Sequence, residues 1–147
     1  MTKIVQLNEA LLNAIHKFMI ILRRKKMSAD IVFHEFLLLR NILRLQTDKK
    51  SSVNPSDLSD NLNLSRSYVT SVLNSLEKKN LILRSVDIDD RRRIVVEITE
   101  KGRRIFDDMA IKELQQIDLL VKALNNENTL NLILLLNRAS EILEKGE

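Results

Sequence analysis

The chain has no cysteine and no tryptophan, and it holds only two glycines, one proline, one tyrosine and two histidines. Each scarcity excludes a class of function. Without cysteine there is no disulfide framework, no thiol nucleophile, no cysteine zinc cluster and no thiol-based redox sensing. Aromatic residues at 3% leave no row of rings on which single-stranded bases could stack. So little glycine and proline, in a chain rich in leucine, asparagine and lysine, favours helices over sheets. No apolar run reaches the length of a membrane span, and the start "MTKIVQLNEALL" lacks the basic segment and cleavage pattern of a secretory signal. A cytoplasmic protein with no membrane partner is expected, in which the sequon Asn63-Leu64-Ser65 stays bare.

What is present fits one soluble domain over residues 1–147, with 44% hydrophobic and 30% charged residues. The net charge of +4 is unevenly spread: residues 1–60 and 61–104 each carry ten basic and six acidic groups, whereas residues 105–147 carry four and eight. Positive charge in the first two thirds suits a chain that meets a polyanion on one side.

Ile4, Leu7, Leu11, Ile15, Phe18 and Leu22 recur at spacings of three and four, which predicts a helix from about Ile4 to Lys25. Val5, Leu12, Met19 and Ile20 widen the stripe beyond what one neighbour needs, so burial on two sides is expected. Ser28 can cap a second helix reaching about Gln46, with Asp30 in its first turn. "TDKKSSV" reads as polar linker, and Asn54-Pro55 supplies a cap and a first-position proline for a short helix to Asn61. After "NLNLS", Ser65 caps a helix in which Val69, Val72, Leu73 and Leu76 share a face, ended by Lys79 and a left-handed Asn80. Two helices joined by so short a connection predict a helix-turn-helix.

Beyond Asn80 the period falls to two. Ile82 and Val86 alternate with Leu83 and Ser85, then Ile94, Val96 and Ile98 with Arg93, Val95 and Glu97. These are two strands of a hairpin whose tip is "DIDDRRR", and a hairpin placed directly after a helix-turn-helix is a wing. Thr99 then caps a long helix to about Leu124, with Ile105, Met109, Ile117, Leu120 and Leu124 inward, and a last helix runs from about Asn128 to Leu143. Its "LNLILLLNRASEIL" is apolar nearly all round, which predicts burial between helices, including those of a second chain.

Residues 55–102, "PSDLSDNLNLSRSYVTSVLNSLEKKNLILRSVDIDDRRRIVVEITEKG", resemble the winged helix of the multiple-antibiotic-resistance regulator (MarR) family. The shared motifs are a Leu-Ser pair, Leu-Glu-Lys-Lys, Asp-Arg-Arg and a Thr-Glu-Lys-Gly end. Asn80 stands where the family usually has glycine and Ile88 where it often has proline; asparagine tolerates the same left-handed turn.

Independently of the resemblance, the 100° step per residue turns Ser67, Thr70, Ser71, Asn74 and Lys78 away from the core. Short hydroxyls and amides suit base edges in a major groove. Arg66, Ser67, Thr70, Ser71 and Asn74 are the base-edge candidates, and Ser65, Tyr68 and Lys78 are better placed for phosphates. In the wing, Arg91, Arg92 and Arg93 supply cations for the minor groove. Asp87, Asp89 and Asp90 can pin the loop through charge-assisted hydrogen bonds; the resemblance implies that Asp90 and Arg92 form the working pair.

Other patterns fail on their own chemistry. Ser75-Leu76-Glu77-Lys78 matches a serine-lysine nucleophile motif, but Leu76 belongs to the core face and no companion motif exists. "DIDD" lacks the glycine and terminal glutamate of a calcium loop. His16 and His34 lie on different helices, and although Glu35 could join them, no metal site is expected. No catalytic set and no cofactor are expected either.

The expectation is a mainly α fold with a small β-hairpin wing. Residues 30–98 would form the winged-helix DNA-binding part, flanked by helical dimerisation parts at 1–27 and 99–147. Such a homodimer would bind near-palindromic double-stranded DNA and regulate transcription, most simply as a repressor. The resemblance implies release by a small-molecule effector bound between the dimer helices and the winged part. The alternative is a winged-helix module that binds protein without specific DNA binding.

Overall fold

Local signals set most of the element boundaries. In the computed structural model, which describes residues 3–24, 31–49 and 52–146, α1 spans Lys3–Arg24, α2 Phe33–Lys49, α3 Pro55–Leu62 and α4 Arg66–Lys78. A hairpin of β1 (Ile82–Val86) and β2 (Ile94–Ile98) follows, and then α5, Glu100–Lys145. No helix among the described residues is long and apolar enough to cross a membrane. By packing, the chain divides into two compact units, Met1–Phe106 and Asp107–Glu147.

Asn54 opens α3 with a reciprocal capping box: its Oδ1 accepts from the Asp57 amide at 3.0 Å, and Asp57 Oδ2 accepts from the Asn54 amide at 3.1 Å. Pro55 takes the first turn, where its missing N–H leaves no donor wanting. Asn63 closes α3 in the left-handed region at φ 50°, and the Ser59 hydroxyl donates to the Leu64 carbonyl at 2.6 Å to hold the turn. Ser65 caps α4 by accepting from the Tyr68 amide at 3.2 Å. At the other end Asn80, φ 60°, completes a Schellman turn, its amide bonding the Glu77 carbonyl and the Leu81 amide bonding that of Leu76.

The core of the first unit is aliphatic. Phe36, Leu38, Leu39 and Ile42 of α2, Leu58 of α3, Val69, Leu73 and Leu76 of α4, and Leu81, Ile82 and Val96 are all buried. Phe36 also stacks on Phe106 with ring centroids 5.2 Å apart, and the Arg40 guanidinium lies over its ring at 4.8 Å.

The hairpin pairs Ile82 with Ile98 and Val86 with Ile94 in antiparallel register. Two sequence readings need correction here. The "TDKKSSV" stretch is not all linker: α2 continues to Lys49, and Val53 is buried and bridges Val96, whose amide donates to the Val53 carbonyl at 2.8 Å. Strand alternation also fails in the middle of β2, where Val95 and Val96 are both buried. Successive strand residues point to opposite faces, so this part of the strand is covered on both sides. Val86 and Ile94, nearer the tip, are exposed.

Thr99 starts α5, accepting from the Gly102 amide at 3.0 Å while its own hydroxyl donates to the Asn80 carbonyl at 2.8 Å. Asn125 interrupts the helix with φ 63° and ψ 170°, and its side chain caps the restart by accepting from the Asn128 amide at 3.0 Å. The long helix and the last helix expected from sequence are therefore the two halves of α5.

Two stripes expected to be covered stand open in the single chain. Every described side chain of α1 is exposed in the single chain, including Ile4, Leu7, Leu11, Ile15, Phe18 and Leu22. All residues from Leu130 to Gly146 are exposed as well, among them Ile133, Leu134, Leu135 and Leu136. Lys25, Ser28 and Asp30 lie outside the described residues.

Candidate nucleic-acid interface

The outward face of α4 follows from its inward one. With Val69, Leu73 and Leu76 buried, helical periodicity turns Arg66, Ser67, Thr70, Ser71, Asn74 and Lys78 to the exterior, and all six are exposed. The Thr70 hydroxyl donates back to the Arg66 carbonyl at 2.8 Å, which leaves its oxygen as an acceptor toward any ligand. Ser65 is exposed but engaged as the cap, with its hydroxyl 3.3 Å from that of Ser67. Tyr68 is half-buried, its ring packed edge-on against His34 with centroids 5.7 Å apart. Tyr68 thus serves the contact between α4 and α2 as well as the rim of this face.

Two charged residues whose packing role was not read from sequence hold α4 in place. Glu35, only 2% exposed on α2, accepts from the Ser75 hydroxyl at 2.5 Å and from Lys79 Nζ at 2.7 Å, and it caps its own helix through the Val32 amide at 3.0 Å. Burial pushes this carboxyl upward, but the hydrogen bonds from Lys79, Ser75 and Val32, with the Lys79 charge, outweigh it and hold the group below its usual value. The ion pair ties both ends of the arrangement: the start of α2 and the C-terminal cap of α4.

The second is Arg84 on β1. Its Nε donates to Glu77 Oε2 at 2.8 Å, its Nη2 also bonds that oxygen, and Nη2 donates to Asn74 Oδ1 at 2.7 Å. The Arg84 hydrogen bond keeps the Glu77 carboxyl below its ordinary value. One guanidinium thereby links the wing strand to the exposed face of α4.

At the wing tip the aspartates act on the backbone. Asp87 Oδ1 accepts from the Asp89 amide at 2.9 Å, and Asp90 Oδ1 accepts from the Arg92 amide at 3.0 Å. Main-chain bonds from Asp87 to Arg93 and from Arg93 to Asp90, both 2.9 Å, close the loop. Arg91, Arg92 and Arg93 are exposed, and among the described residues their guanidinium groups enter no ion pair. The loop is pinned by carboxylate-to-amide bonds, which leaves the cations outward.

His16 lies on α1 and His34 on α2, where His34 packs against Phe33 and Tyr68. Among the described residues no group of three or more potential metal ligands forms. Only the local part of Glu35's role carries a sequence signal: an acid three residues after Val32 has the spacing of a helix-start carboxylate, whereas its reach to Ser75 and Lys79 has none. Arg84 has no such local signal.

Residues 34–94 match the family model described as the MarR family. Among curated proteins, the chain is 34% identical over 65 residues to the transcriptional repressor MprA of Escherichia coli (strain K12), covering 44% of this chain and 37% of that one. It is 31% identical over 70 residues to the HTH-type transcriptional regulator MhqR of Bacillus subtilis (strain 168), covering 48% of each. The matched segment spans less than half the length of these relatives.

Among solved structures, S. aureus MepR in a complex with DNA superposes with a TM-score of 0.73 at 22% identity, over 91% of this chain and 96% of that one. The PcaV transcriptional regulator of Streptomyces coelicolor, in complex with its natural ligand, superposes with a TM-score of 0.75 at 15% identity, over 96% of each. At these identities the likeness establishes a shared winged-helix fold.

Proposed function

We propose that this chain, whose residues 34–94 match the MarR family model, is a sequence-specific double-stranded DNA-binding transcriptional regulator that acts as a homodimer. One observation carries the reading: an exposed, short and polar α4 face stands on the same unit as a wing whose three arginines are exposed and, among the described residues, enter no ion pair. Arg66, Ser67, Thr70, Ser71 and Asn74 then approach base edges, Ser65, Tyr68 and Lys78 meet phosphates, and Arg91 to Arg93, braced by Asp90, enter the minor groove.

Residues 30–98 do the DNA work in this proposal, and residues 1–27 and 99–147 build the dimer. The exposed apolar stripes of α1 and of the last half of α5 supply the motive, because patches of that extent on a single chain mark an interface. A twofold axis sets two α4 helices into successive major grooves about 34 Å apart, so the operator is a near-palindrome. MprA is described as a repressor and PcaV was solved with a ligand; by analogy this protein represses by occupying a promoter and is released by a small effector that favours another spacing of the two helices. It works in the cytoplasm, beside the DNA, and the family's role gives no reason to assign it a catalytic function.

The test is duplex binding as a function of salt. Affinity is expected to fall steeply with rising salt, and Arg92→Ala should flatten the slope of log affinity against log salt by about one unit. Duplex affinity indifferent to both salt and Arg92 would leave the protein-binding alternative standing.

A further inference from the structure

Asn74 lies near the centre of the exposed α4 face, and an asparagine there would ordinarily be expected to read adenine. That reading uses both ends of the carboxamide: Nδ2 donates to N7 while Oδ1 accepts from the N6 amino group. Here Oδ1 is already engaged. Arg84 Nη2 donates to it at 2.7 Å, and because a guanidinium has donors and no acceptor, the contact fixes which end of the carboxamide faces Arg84. Nor is Arg84 free to withdraw, since Glu77 holds it through Nε and Nη2 together.

We propose that Arg84 sets the base preference of Asn74: by occupying Oδ1 it leaves that side chain a donor only, so that Asn74 selects a keto edge, guanine O6 or thymine O4, over the amino edge of adenine or cytosine. A second donor approaching Oδ1, such as adenine N6, would come up beside a full positive charge and gain little. The Nδ2 amino group makes no hydrogen bond among the described residues and remains available. Arg84 is in this sense a positioning residue, acting on DNA through Asn74, and the inference rests on α4 being the DNA-facing helix.

The experiment selects bound fragments from a pool of random duplexes with the full-length wild type, Asn74→Ala, Asn74→Asp and Arg84→Met, each checked for helix content and thermal midpoint. In the wild-type consensus one half-site position should favour guanine or thymine over adenine by about fivefold to tenfold, the lower range for a base-edge contact. Asn74→Ala should flatten that position alone. Asn74→Asp keeps a partner for Arg84 but turns the outward group into an acceptor, so the same position should move to cytosine or adenine. Arg84→Met keeps an apolar stem and frees Oδ1, so the position should gain adenine. A wild-type consensus that Asn74→Ala leaves unchanged, or one with adenine at the position it flattens, overturns the proposal while DNA binding stands. No enriched sequence for the wild type removes the DNA reading itself. Asn74 is exposed, so both of its variants are informative even if Arg84→Met fails to fold.

Discussion

Gly102 lies so close to the main chain of Leu81 that a β-carbon on it would sit 2.1 Å from the Leu81 carbonyl oxygen. That oxygen cannot simply move aside, because it accepts from the Thr99 amide at 3.0 Å. The contact joins the first turn of α5 to the junction of α4 and β1, so the glycine that ends "TEKG" is required by a backbone approach and not by a turn.

Gly102→Ala should therefore destabilise the protein even though alanine is the better helix former by about 1 kcal/mol. The overlap with backbone forces a shift, and overpacking of this kind costs about 1–3 kcal/mol. Because the overlap is with backbone, the cost lies in the upper part of that range, and a net loss of about 1–2 kcal/mol is expected in urea unfolding at neutral pH. Equal or higher stability would mean that α5 is not docked on Leu81.

Glu35 gives a pH dependence with a definite sign. Its carboxyl sits below the ordinary glutamate value because Lys79, Ser75 and the Val32 amide together outweigh burial. A depressed carboxylate contributes stability that is complete above its unfolded value, near 4.5, and is lost as pH falls through the lower folded value. Glu35→Gln should lower stability at neutral pH, by about 1–3 kcal/mol for a buried charge-assisted set, and the deficit should shrink as pH falls below the unfolded value and through the lower folded one. Unfolding curves across that range check it; a deficit constant with pH would detach Glu35 from the acid response.

The boundaries of these elements were legible where the signal is local. Asn54-Pro55, Ser65, Asn80 and Thr99 each announce a helix end by their own chemistry within about three residues. Glu35 and Val53 were not, because their roles depend on partners far along the chain: Glu35 meets Ser75 and Lys79 forty and forty-four residues on, and Val53 bridges Val96 across α3 and α4. Arg84 reaches Asn74 over only ten residues, yet across a Schellman turn that reverses the chain, so neither helical nor strand periodicity brings the pair together. In the candidate site, the α4 face and the arginine tip could be read from periodicity and composition. The bonds that orient them could not.

The apolar stripes of α1 and the last half of α5 predict association. Leu11→Lys combined with Leu134→Lys removes one leucine from each stripe, and both side chains are exposed in the single chain, so the winged helix should fold unaltered. Sedimentation should show a dimer for the wild type and a monomer for the double variant, with duplex affinity reduced at least about a hundredfold as the second half-site contact is lost. A variant that still sediments as a dimer would place the interface elsewhere.

Asp90 separates bracing from charge in the wing. Its carboxylate accepts from the Arg92 amide, so Asp90→Ala loosens the loop while also removing a negative charge that opposes phosphate. These effects have opposite signs on affinity but different signatures. Loss of bracing lowers specific binding without changing how many phosphates are neutralised, so the salt slope should stay that of the wild type, whereas Arg92→Ala should flatten it by about one unit. Specific affinity for Asp90→Ala is expected to fall by about threefold to tenfold, about 1 kcal/mol for one lost loop hydrogen bond. Tighter binding in place of weaker would mean that the wing's net charge matters more than its rigidity, and Asp90 would then act as a brake on the arginines beside it.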